Sequence, residues 1–248
     1  SNNDRIREVF ASNQTITTLM MDQKLPDAEM KAADSILASY ESTLTSQMLK
    51  LQSASARMYL DMFDTMEQMG LTNVDFENDP EGMERFGQAM QTVWADLTKK
   101  ANAMAADIGE LNRRTLSSLG GVLPPDTART VRNQFYMKAY PESAFAFGDE
   151  SMFDSALRLR DLTDEQRQAL TTARDVYRTT CDQIGQQAVQ AIDEQRKELT
   201  PFNYNQEAFE KHQKSIADFQ ARAVQTRHTG RDAIVSALGV EMASKLPG

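Results

Sequence analysis

Seven prolines punctuate the 248-residue chain, at Pro26, Pro80, Pro124, Pro125, Pro141, Pro201 and Pro247. A proline inside a helix removes a backbone donor and clashes with the preceding turn, at a cost of about 3 kcal/mol. Long helices are therefore confined to the intervals 27–79, 81–123, 142–200 and 202–246. The first reads as one helix from about Pro26 to Met69, ended by Gly70. It would be roughly 65 Å long, and a helix of that length needs a partner along its side. The second starts at Asp79-Pro80, with Asp79 as N-cap, and stops near Leu119 at Gly120-Gly121. A shorter helix is expected from Asp126 to Ala139, then an irregular loop through "YPESAFAFGDE". Two more long helices are expected, one from Thr163 to Leu199 and one from about Asn205 onward. The first of these carries a seam of Leu162, Ala169, Ala173, Val176, Ile184, Ala188 and Leu199. A weaker amphipathic helix is expected over residues 4–22.

The chain also resembles itself. A shift of 137 positions sets Leu25 on Leu162, Asp27 on Asp164, Ala32 on Ala169, Tyr40 on Tyr177 and Thr43 on Thr180. Further on, "TLSSLG" from Thr115 matches "IVSALG" from Ile234. The expected fold is all-α: an elongated bundle of long antiparallel helices, arranged as two similar hairpins with short extra helices. It is read as a single domain over 1–248, with repeats at about 23–140 and 160–248 joined by the loop 139–150.

Composition narrows the function. The net charge of -9 works against binding to a nucleic-acid backbone or an anionic membrane surface. There is no apolar run long enough for a membrane span. A lone Cys181 excludes an internal disulfide and a cysteine-rich zinc site. It reads as a structural thiol. His212 and His228, the only histidines, are 16 residues apart on one helix. They point about 160° away from each other, so no metal site is expected from them. No nucleophile elbow, phosphate loop or dinucleotide fingerprint occurs, so neither an enzyme activity nor a cofactor is expected.

Leu162-Thr163-Asp164-Glu165-Gln166 has the form of a capping box, with Thr163 and Gln166 exchanging hydrogen bonds with each other's backbone and Leu162 as a staple. The same Leu162-Thr163-x-x-Gln166 resembles the LTxxQ motif of the Spy/CpxP-like periplasmic stress proteins. A second, divergent copy stands at Leu25-Pro26-x-x-Glu29. The resemblance implies long-helix hairpins, a periplasmic or secreted location and a chaperone-like or stress-regulatory role. Family members pair single hairpins as dimers, which two hairpins in one chain could replace. The chain starts at Ser1, which leaves room for a leader removed before this point.

Two apolar groups are candidate protein-binding surfaces. Met58, Met62, Met66 and Met69 share one helical face, with Tyr59 and Phe63 beside it. The plainer expectation is that this face packs against the next helix. Tyr140, Phe145 and Phe147, with Phe153, lie on the connection between the halves. They either plug the bundle, the preferred reading, or form an exposed patch. The expected function is non-catalytic binding of apolar protein segments by an envelope stress protein. The alternative is a structural or regulatory adaptor that docks one protein partner.

Overall fold

The computed structural model describes residues 15–68, 70, 79–147, 149–198 and 206–246. The regular structure is helical, with no strand among the described residues. In chain order the helices are α1 (Ile16–Asp22), α2 (Asp27–Gln68), α3 (Pro80–Gly120) and α4 (Pro125–Ala139). A 3-10 turn follows (Pro141–Ala146), then α5 (Ser151–Leu157), α6 (Asp164–Glu198), α7 (Gln206–Leu238) and α8 (Val240–Ala243). No helix among the described residues is long and apolar enough to cross a membrane.

The long-helix boundaries follow the punctuation. Asp79 caps α3, its Oδ1 accepting the Gly82 N–H at 2.8 Å. Gly70 and Gly239 have positive φ, 65° and 76°, after α2 and α7. The segment 141–157 corrects the sequence reading. "YPESAFAFGDE" is expected as a loop, but it contains the 3-10 turn and leads directly into α5. Asp149 supplies the local order, accepting from the Ser151 N–H at 2.8 Å and the Ser151 hydroxyl at 2.9 Å.

The chain divides into two compact units. Unit 1 comprises Ser1–Arg132 with Gln195–Gln206, and unit 2 comprises Asn133–Glu194 with Glu207–Gly248.

In unit 1, α2 packs against α1 and α3. The buried positions of α2 are Ala33, Leu37, Tyr40 and Leu44, spaced four, three and four along one face. Ile16, Leu19 and Met20 of α1 are buried, as are Ile108, Leu116 and Leu119 of α3. Tyr40, early in α2, donates its hydroxyl to Asn112 Oδ1 at 2.9 Å, late in α3. This pairing makes α2 and α3 an antiparallel hairpin.

In unit 2 the central cluster is Phe153 and Ala156 of α5, Leu170, Tyr177 and Cys181 of α6, and Ile234 and Leu238 of α7. Gly230 of α7 allows the close approach, because a Cβ there would lie 2.6 Å from Met152 Cε and 3.1 Å from the Tyr177 ring. The expected α6 seam needs correction. Ala169 is exposed and Val176 is 62% exposed, while Leu170, Tyr177, Ile184, Ala188 and Ile192 are buried. The true seam runs every seven residues through Leu170, Tyr177 and Ile184, one position later than expected at Ala169 and Val176, while Ile184 and Ala188 are buried as expected.

The two units share an order of short helix, long helix, long helix. The 137-residue shift also sets buried Ile16 on Phe153, Leu19 on Ala156, Ala33 on Leu170, Tyr40 on Tyr177 and Leu44 on Cys181.

Candidate protein-binding site

The two long helices that start each hairpin part company beyond Leu44. In α6 the buried face continues through Ile184, Ala188, Val189 and Ile192. In α2 the shift sets Gln47 on Ile184 and Gln52 on Val189. Polar side chains at these positions end the buried apolar stripe of α2. Gln47 is half-buried, its Oε1 buried without a hydrogen-bond partner, and Gln52 is exposed. No described apolar residue of α2 after Leu44 is buried.

This outer half of the hairpin carries an open groove of about 1430 Å³ between α2 and α3. Its floor is made of small residues, Ser42, Ser46, Ser53 and Ala54 of α2 facing Ala89, Thr92 and Val93 of α3. The α2 positions recur at helical spacing, and small side chains there keep the helices from filling the space between them. The groove carries the cations Lys50, Arg57 and Lys100, against Asp61 as the carboxylate among its described lining residues. Leu49 is 57% exposed at its edge. On the same half of α2, Tyr59 is 57%, Leu60 65% and Phe63 59% exposed.

The structure sorts the expected surfaces differently from the sequence. Tyr59 and Phe63 are exposed, Met62 and Met66 are half-buried, and Met69 and the Met58 side chain lie outside the described residues. The described methionines of this face, Met62 and Met66, are thus only partly covered. Tyr140 and Phe147 are buried within unit 2, which corrects the alternative reading of these aromatics as an exposed patch. Tyr140 is buried and donates its hydroxyl to Asp193 Oδ1 at 2.9 Å. Phe147 is buried, with its ring stacked on Tyr136 at 5.7 Å and lying over Gly185. Phe145 is half-buried against Ala146, Ile184 and Ala223. Burial follows from α6, whose Gly185 leaves a gap that only a ring from this connection fills.

At the motif, the Thr163 N–H donates to Gln166 Oε1 at 3.1 Å and the Gln166 N–H to Thr163 Oγ1 at 3.2 Å. Leu162 packs on the central cluster of unit 2. At the divergent copy, Pro26 has no N–H to give. Its carbonyl accepts the Glu29 N–H at 2.9 Å, and Glu29 Oε2 is buried without a hydrogen-bond partner. Leu25 is half-buried. Both copies are helix starts, and nothing in their geometry presents a ligand.

Cys181 is buried beside Tyr177, His212 is half-buried and His228 is exposed. Sequence reading missed the groove, Leu49, Leu60 and its cations. The serines at 42, 46 and 53, small and on one side of a long helix, were the available signal. No known protein family, curated protein or solved structure matches this chain.

Proposed function

We propose that the protein is a non-catalytic, chaperone-like binding protein of the cell envelope that holds apolar protein segments on the outer half of the α2–α3 hairpin. The observation that carries this reading is the exposure of Leu49, Tyr59, Leu60 and Phe63 on α2 beyond Leu44, its last described buried apolar residue. Contiguous exposed apolar surface of this kind is a common mark of protein interaction. The envelope location rests on the LTxxQ resemblance. The adaptor reading shares the same surface and differs in selectivity.

The test is light scattering of heat-aggregating citrate synthase, without ATP, at near-equal concentration of the full chain. Suppression that Phe63→Glu weakens supports the chaperone-like reading. No suppression by a folded protein transfers the site to a dedicated adaptor.

A further inference from the structure

The groove shares only Leu49 with the exposed apolar residues, and its chemistry is narrower than theirs. A surface that only collects apolar chain has no need of cations, and the chain as a whole carries a net charge of -9. Yet Lys50, Arg57 and Lys100 line this one space, opposed among the described lining residues by Asp61. Lys50 and Arg57 are one heptad apart on α2, roughly 10.5 Å along the axis. Between them lie Ser53 and Ala54, with Ser46 one turn before Lys50, all too small to close on α3. Along α2 the lining runs from Ser42 to Thr65, a length of roughly 35 Å. At about 1430 Å³ the space exceeds the roughly 300–1,000 Å³ of ordinary small-molecule sites.

We propose that the groove between Ser42–Thr65 of α2 and Gln88–Lys100 of α3 receives a third helix: an amphipathic protein segment with a narrow apolar face and carboxylates one heptad apart. The apolar face lies on the small-residue floor and on Leu49. The carboxylates pair with Lys50 and Arg57, as charges flanking a coiled-coil seam pair across helices. Charge complementarity there selects the partner and speeds its encounter, while the apolar face supplies most of the affinity. This deepens the proposed function and rests on it, by giving the bound segment a sign of charge and a secondary structure.

The test uses the full chain and two labelled synthetic helical peptides of 21 residues. Both carry the same Leu/Ala face, and one has Glu and the other Lys at positions seven apart. Fluorescence anisotropy at low salt is expected to show the Glu peptide binding at least tenfold more tightly, a preference that shrinks at high salt. Lys50→Glu with Arg57→Glu is expected to remove or invert that preference. Ser46→Trp, which fills the floor and leaves the charges in place, is expected to weaken both peptides. Equal binding of the two peptides overturns the proposal, as does tighter binding of the Lys peptide or a preference unchanged in the double variant. Two other occupants would also overturn it. A dimer in sedimentation that Arg57→Glu dissociates would make the occupant a second copy. Phosphatidylglycerol vesicles that bind through Lys50 and Arg57 and displace the peptide would make it a lipid surface. Citrate synthase protection by the unmodified chain, together with equal binding of the two peptides to that chain, removes this inference and keeps the proposed function. Loss of protection by the unmodified chain removes that function itself.

Discussion

Thr163 and Gln166 cap each other: each backbone N–H donates to the other's side chain, at 3.1 and 3.2 Å. The equivalent pair at the start of α2 is Pro26 and Glu29, where the reciprocal bond is chemically impossible because proline has no N–H. One helix start thus has both bonds of the box and its repeat has neither. Thr163→Ala is expected to lower unfolding stability by about 1 kcal/mol. Pro26→Thr is expected to raise it by roughly 0.5 kcal/mol, the cap gain being offset in part by loss of the proline's stiffness in the unfolded chain. Urea midpoints at constant slope read both. No change on Thr163→Ala would remove the motif's structural role.

Phe147 and Phe63 separate core from surface. Phe147 is buried over Gly185, and Phe63 is 59% exposed. Phe147→Ala is expected to cost about 3–5 kcal/mol. Phe63→Glu is expected to stay within about 0.5 kcal/mol of the parent. Circular dichroism melts distinguish them. Collapse of the Phe63→Glu helices would place Phe63 in the core.

The two tight glycines differ in what opposes them. A Cβ at Gly185 would meet the Phe147 ring at 2.5 Å, and that ring is itself stacked on Tyr136. At Gly230 the nearest atom is the flexible Met152 methyl at 2.6 Å. Gly185→Ala is therefore expected to cost about 1–3 kcal/mol, and Gly230→Ala clearly less. Equal costs in chemical denaturation would show that the ring at 147 yields as easily as a methionine.

The hydroxyl of Tyr40 is pushed up from 10.0 to about 12, chiefly by burial. Burial also raises Tyr177. A phenol whose neutral form the fold prefers costs nothing below its unfolded pKa. Once the unfolded chain ionises and the folded one does not, stability falls as pH rises. Stability is thus expected to be flat up to about pH 10 and to drop between about pH 10 and 12. Tyr40→Phe is expected to shallow that drop while losing the bond to Asn112 at neutral pH. An unchanged alkaline slope in Tyr40→Phe would assign the drop to other groups.

The helices were legible because their ends are written in residue types with one strong local preference: Asp79-Pro80, Gly70 and Thr163 with Gln166. The core was less legible. The first half of the α6 seam was read one position early, at Ala169 and Val176, because small and branched apolar residues count as apolar wherever they stand, whereas Leu170 and Tyr177 fix the register by bulk. A surface patch stayed open for Tyr140 and Phe147 because a segment rich in aromatics carries no periodicity, and what covers them stands some forty residues later, Asp193 for Tyr140 and Gly185 for Phe147. The groove was illegible for the opposite reason. It exists through what Ser42, Ser46 and Ser53 fail to fill, and an absence of bulk leaves no hydropathy peak.

Cys181 carries the chain's one thiol, and it is 2% exposed beside Tyr177 at the centre of unit 2. It is therefore a built-in clock. A thiol-reactive dye added to the native protein can be consumed only as fast as that cluster opens, so the labelling rate times the breathing of unit 2 alone. Unit 1, which has no described sulfhydryl, stays silent in the same experiment.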